Sequence, residues 1–571
     1  MRNRIQIVLL SVCLLTGFGC TSPQIVRLSD YLTPASAEDA MPAIRAALEQ
    51  CREQGATRLE LPEGVLKIKA DRAYETYQFI SNNDESLKRI AFLLDGMCDF
   101  EIVGNDTKLL FTGFISPFSL RNCRDIDISG LSIDFTRTFN SQGEIIGVGK
   151  DFLDLRFPEE YVCQLENGCL AFYDRDWTRY PFSSMLEFDA EKREPAQDAS
   201  DNWLYGGTVR AEQLGDHVYR VFKENLKGTV GNVLVLGAQA RNNPAFFLSD
   251  CADITIHDVT IYHCGGMGVI AQMSRDIELR ALTIEPSAGR MVSITADATH
   301  FVNCKGQIKM TDCKFRNQMD DHTNIHGLYM VVDEVLGPRK LLLSWHNTGQ
   351  YGLEFLKKGL EVEVVDNRTM QQIARAVVDK VRYLNKVVCE VEFTEDLPEG
   401  VGKDMVIADD SGYPDVLIAG CDFRSNRARG LLLGSRGHIV VENNYFHIPG
   451  TAILFEGDGN FWFEQSGVRN VEIRNNVFEN GNFGYFNWGA ACIYVGSRIP
   501  DKSGEESYHR NISIRNNTFR IFDPRILNLS SVDGLEFSGN TIEKTTVYPY
   551  TGKSMEPFVV SAECKNIHIQ E

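Results

Sequence analysis

The chain has 571 residues, 43% hydrophobic and 10% aromatic, which is more than a single compact core usually organises. Its 58 basic residues against 78 acidic ones leave a net charge of −20, which argues against nucleic acid or a strongly anionic polymer as the main ligand and favours a neutral one. Of the 15 cysteines, thirteen remain once Cys13 and Cys20 are set aside, an odd number without compact spacing, so no disulfide framework is implied.

Arg2 and Arg4 precede an apolar run from Ile5 to Leu15, followed by Thr16, Gly17, Phe18, Gly19 and Cys20. That run is shorter than the ~20 residues a membrane span needs and has the layout of a secretory signal. Residues 1–20 resemble a bacterial lipoprotein signal. The resemblance implies lipidation at Cys20, an exported protein of the cell envelope, and membrane contact only through that lipid; plain cleavage to a periplasmic or secreted product is the alternative.

Residues 21–137 read as an N-terminal cap and first coils. Ser36 through Gly55 predicts a helix with Ser36 as N-cap, Met41, Ile44 and Leu48 on one face, and Gly55 as the stop. A helix placed there covers the open end of a solenoid. Leu61-Pro62-Glu63-Gly64 follows, then a loose early rung at 99–107.

A nine-residue phrase then recurs, apolar at its second, fourth and ninth places, usually with Gly, Asn or Asp just past the middle. Its copies start at 125, 253, 276, 307, 415, 438, 470, 511 and 534, and the uninterrupted spacings are 23 residues. Alternation of period two says strand, and a period in the twenties built of strands and polar turns predicts an all-β, right-handed parallel β-helix. The seventh places Asn444, Asn476, Asn517 and Asn540, with Cys313 and Cys421, stack one coil apart at ~4.8 Å and predict an inward ladder.

Two stretches interrupt the rhythm. Residues 138–240 and 328–410 keep strand-like alternation but lose the repeat, which predicts two inserted, small β-barrel-like modules. They flank helical coils at 241–327 and leave 411–571 as C-terminal coils. Insertions on one face of a solenoid shape its binding site, so at least one module is expected to wall the cleft.

Just before the second insert, Asp297 lies 23 residues ahead of Asp320 and 24 ahead of Asp321. A 23-residue coil brings the three carboxylates into one patch, provided that Asp320 and Asp321 lie in a turn or bulge, because neighbours on a strand point to opposite faces. Glycoside hydrolysis needs one carboxylic acid for the leaving oxygen and one carboxylate for water or sugar. Crowding of three acids keeps one of them protonated near neutral pH.

The arrangement looks like that of the polygalacturonases, whose Asn-Thr-Asp, Gly-His-Gly and Arg-Ile-Lys signatures are nevertheless missing. The overall plan, from Leu61-Pro62-Glu63-Gly64 through both inserts to the last rungs, is similar to glycoside hydrolase family 110. That resemblance implies an exo-acting, inverting α-1,3-galactosidase acting on blood group B structures or linear Gal-α-1,3-Gal. It implies Asp320 as general acid, with Asp297 and Asp321 holding the water. Expected sugar contacts are His322, Asn324, Arg427, Arg429, Glu456, Asp458, Glu464 and Trp488, since guanidinium forks clamp hydroxyls and an indole covers the apolar face of galactose.

His322 and His326 have no further ligands at metal-site spacing, so neither a metal nor another cofactor is expected. The expected partner is an α-galactosyl-terminated glycan, with no nucleic acid; oligomeric state is left open. Two alternatives stand: a calcium-dependent, pectate-lyase-like enzyme, and a non-catalytic glycan-binding solenoid.

Overall fold

The computed structural model describes residues 24–83, 86–550, 552 and 555–570; the expected signal segment and Cys20 lie outside the described residues. From the third copy of the repeat onward, the strand breaks at the sixth and seventh residues and resumes at the eighth. In every copy the sixth residue turns through the left-handed region, with φ of 69° at Gly130, 51° at Asp258, 55° at Asp312, 57° at Asn443 and 62° at Gly539. Glycine lacks the Cβ that opposes this conformation, and Asn and Asp tolerate it, which explains the preference at that place. Ala281, at 50°, is the exception.

The second-place residues stack in parallel register through Ile126, Ile254, Ile277, Ile308, Val416, Ile439, Val471, Ile512 and Leu535, all buried. The ninth-place rings of Phe315, Phe423, Phe446, Phe478 and Phe519 follow at centroid spacings of 5.6, 5.4, 4.9 and 4.8 Å. The amide ladder forms as expected, with Asn444, Asn476 and Asn517 each donating from Nδ2 to the next Oδ1 at 3.0 Å. The same oxygens accept the backbone N–H of the preceding coil, so buried turn amides are satisfied without water. Strands Phe246–Ser249, Val269–Gln272, Thr299–Val302, Thr323–Leu328, Leu431–Leu433 and Ile453–Phe455 supply one strand per coil to a second parallel sheet. The chain is thus a parallel β-helix.

The capping helix runs Met41–Gln54 and stops at Gly55 in the left-handed conformation, φ 62°. Its start differs from expectation. Pro34–Ala37 forms a separate 3-10 turn, and Asp39 rather than Ser36 serves the helix, accepting from the Met41 N–H at 3.0 Å and the Lys69 N–H at 3.1 Å. The face carrying Met41, Ile44 and Leu48 is buried against the end of the helical core.

Strands between Ser141 and Ala238 form one antiparallel nine-stranded sheet. Strands between Met330 and Asp409 close into a six-stranded antiparallel barrel around Val332, Leu341, Leu343, Val362 and Val391. The first module is inserted between Phe135 at the end of a first-sheet strand and Phe246 at the start of a second-sheet strand, and the other between Leu328 of the second sheet and Asp415 of the first.

Candidate active site

Register places the acids. Thr299 pairs with Thr323, which pairs with Leu431, so Asp297, Asp321 and Arg429 occupy one column on three successive coils. Asp320 precedes that column in a bend between the strands Lys314–Arg316 and Thr323–Leu328, which meets the condition that adjacent acids converge only off a regular strand. One oxygen from each of Asp297, Asp320 and Asp321 lies within 4.8 Å of the others.

Three guanidiniums balance them. Asp321 takes a fork from Arg429 at 3.1 and 2.7 Å and also accepts the Arg429 backbone N–H at 3.2 Å. Asp320 lies between Arg241 and Arg427, each donating at 3.0 Å. Arg427 is held in turn by Asp201 at 2.8 Å, and Trp488 donates from Nε1 to the same Asp201 at 3.2 Å. Asp297 meets no guanidinium fork; its Oδ2 is 2.6 Å from His300 Nδ1, and His300 Nε2 is 2.9 Å from His326 Nε2.

These surroundings divide the trio. Burial, reinforced by Asp320, pushes Asp297 up to about 7. Burial likewise pushes Asp321 up to about 7, against the pull of Arg429. Burial acts upward on Asp320 too, but Arg427, Arg241 and Arg429 outweigh it and hold that carboxyl below the ordinary range. Glu464, across the cavity, rises to about 8 through burial and the nearby Glu456 and Asp458. Both histidines are driven down to about 3, by burial first and then by Arg241 for His300 and by His300 for His326.

The acids lie in a cavity of about 300 Å³. Of the expected sugar contacts, Asn324, Arg429, Glu456 and Glu464 line it. Arg427 acts one step behind, through Asp320. Three expected contacts are placed elsewhere. His322 is fully buried, with Nε2 3.1 Å from the Phe315 carbonyl and its ring against Phe423, because it precedes the strand and points into the core. Asp458 is fully buried and caps its own turn, accepting from the N–H groups of Asn460 at 2.9 Å and Trp462 at 3.0 Å, so it presents Trp462 instead of meeting a ligand itself. Trp488 is 6% exposed and packs beside Met319 and Ala428, where it orients Asp201.

Residues not singled out from sequence complete the wall. Gln239 and Arg241 follow the first module, Asn347, Thr348 and Gly349 come from the second, and Asn82 and Trp462 close the sides. Both modules therefore contribute. His300, three residues after Asp297, carried a local signal; Arg241 and Asp201 carried none. The carboxylate trio could geometrically hold a cation, but its oxygens already face three guanidiniums, and a calcium ion would need 6 to 8 oxygen ligands in their place. The donor set fits a salt-bridged carboxylate cluster better than a metal site.

A parallel β-helix presenting three carboxylates in a small polar cavity holds the kind of acid groups that glycoside hydrolysis requires. Family models described as GLAA-B beta-barrel domain I and domain II match residues 141–234 and 340–407, within the two modules. The chain is 33% identical to "Alpha-1,3-galactosidase A" of Shewanella woodyi, over 95% of this chain and 91% of that protein. It is 31% identical to "Alpha-1,3-galactosidase B" of Bacteroides thetaiotaomicron, over 98% and 92%. The chain belongs to this α-1,3-galactosidase A/B family. Among solved structures it is similar to the A-module of mannuronan C-5 epimerase AlgE4 of Azotobacter vinelandii, at 10% identity and a TM-score of 0.42 over 95% of this chain and 100% of that one.

Proposed function

We propose that the protein is an exo-acting α-1,3-galactosidase of the glycoside hydrolase family 110 type, releasing terminal α-1,3-linked galactose from blood group B structures or linear Gal-α-1,3-Gal with inversion. The observation that carries this reading is the carboxylate trio within 4.8 Å inside a cavity of about 300 Å³, in a chain whose relatives bear the α-1,3-galactosidase name. Ligand pockets run from ~300 to 1,000 Å³, so this one suits a single terminal sugar rather than a threaded polymer. Loops of both modules wall it, which favours the exo mode.

Two carboxylate oxygens that share one water at ~2.8 Å each stand ~4.5 Å apart at a near-tetrahedral angle. All three pairs lie within 4.8 Å, and Asp297 with Asp321, the two carboxyls that burial raises, is the water-holding pair in this proposal. Acid and base are ~6.5 to 9.5 Å apart in most inverting enzymes; here two acids share the water and Asp320 serves the leaving oxygen. Asp320 starts as a carboxylate under Arg241 and Arg427. In the proposed cycle, sugar hydroxyls engage those guanidiniums and Asp320 takes its proton from a neighbour in the trio.

Proton NMR of the protein with a blood group B trisaccharide and the linear disaccharide tests the reading: β-galactose should appear first and mutarotate afterwards. Initial α-galactose refutes inversion; no galactose from either substrate by folded protein refutes the galactosidase. We also propose export and lipid attachment at Cys20. Incorporation of a clickable fatty acid into the wild type, lost in Cys20→Ala, is the expected result.

A further inference from the structure

We infer that His300 and His326 are positioning residues that hold the cavity's labile proton on Asp297. The geometry stands independently of the hydrolase reading; only its catalytic consequence rests on that reading.

The argument follows the hydrogen atoms along the chain. His326 Nδ1 lies 2.8 Å from the Gly327 carbonyl oxygen, which can only accept, so Nδ1 carries a hydrogen. A neutral His326 then has a bare Nε2, and at 2.9 Å it must accept from His300 Nε2–H. A neutral His300 is left with a bare Nδ1, and the Asp297 oxygen at 2.6 Å must supply the hydrogen. With both rings neutral, three bonds in series admit one arrangement, in which Asp297 is a carboxylic acid. The alternatives that keep all three bonds ionise Asp297 and put the positive charge on His300 or on His326.

The surroundings decide between them. The side chains of Asp297, His300 and His326 are 5%, 2% and 2% exposed, so a charged ring would have almost no water. Arg241 faces His300 and opposes a second positive charge there. Asp320, Asp321, Arg241 and Arg429 face Asp297, and Asp320, itself kept ionised by two guanidiniums, opposes a negative charge on it. Glu464 stands 3.6 Å from His326 Nε2, and its raised affinity for a proton leaves it no counter-ion for an imidazolium near neutral pH. Burial lifts Asp297 and depresses both rings, the same direction as the bond sequence. The proton is thus stored within 4.8 Å of the other two acids.

The test is histidine-selective ¹⁵N labelling of the full chain with long-range ¹H–¹⁵N spectra between about pH 5 and 8, the two rings being assigned from His300→Asn and His326→Asn. The expected result is a neutral Nε2–H ring for His300 and a neutral Nδ1–H ring for His326. Both should persist in Asp297→Asn, whose amide donates to His300 Nδ1 as the acid does. A doubly protonated ring in the wild type, or one that turns neutral only in Asp297→Asn, overturns the inference. In kinetics, the alkaline limb of kcat/KM should move down by about one pH unit in His300→Ala and return in His300→Asn, whose amide oxygen can accept from Asp297. A uniform loss at every pH overturns the positioning role. Absence of turnover refutes the hydrolase reading and leaves the spectra to decide this one.

Discussion

Asp297→Asn should stabilise the protein at alkaline pH and do little in acid. The carboxyl stands at about 7 in the fold against 3.8 for the free group, first because of burial. Between these values the folded state binds more protons than the unfolded chain, so stability falls as pH rises through that window. About three units at ~1.4 kcal/mol each make a penalty of roughly 4 kcal/mol at pH 8, near zero at pH 4. Asparagine has the shape of the protonated acid and donates to His300, so it keeps the neutral state's contacts and removes the titration. Urea unfolding of both proteins at about pH 4.5 and pH 8 measures it, as a midpoint shift several-fold larger at the higher pH, roughly 4 kcal/mol against about 1. An equal offset at both pH values, or destabilisation at pH 8, refutes the assignment of a buried, proton-holding Asp297.

Asp320→Asn should lower kcat by about 10² to 10⁴-fold with the fold intact, checked by initial rates alongside circular dichroism. Asn476→Ala leaves the Asn444 N–H and the Val441 carbonyl without the ladder partner each now has, at about 1 to 3 kcal/mol per group, so the urea midpoint should fall sharply while hydrogen exchange accelerates at Asn444. Trp462→Ala, which strips an aromatic wall 42% exposed at the cavity edge, should raise KM several-fold, about 1 kcal/mol, and leave kcat nearly unchanged.

The solenoid was legible because its rules are local and repeated. Each coil restates the same alternation and the same left-handed sixth residue, and an error in one copy is outvoted by the others. The Asn ladder follows from the same repetition, since equal spacing in sequence becomes vertical stacking in space. The helix start was misplaced because Ser36 and Asp39 offer rival caps, and only the docking of Lys69 beside Asp39 selects one. His322 was misjudged for a related reason: it sits in the bend before Thr323, where strand alternation does not say which way a side chain points.

The amino-acid sequence alone determined the parallel β-helix, the two interruptions and the meeting of Asp297 with Asp320 and Asp321, because an uninterrupted coil of 23 or 24 residues converts that separation into contact. The tertiary structure decided what that meeting can do. Arg241, Asp201, Asn347 and Asn82 come from segments with no periodic relation to the acids, and they close the cavity and set which carboxyl is charged. Protonation depends on burial and on charges a few ångströms away, and those distances exist only once the inserted modules have folded back onto the coils.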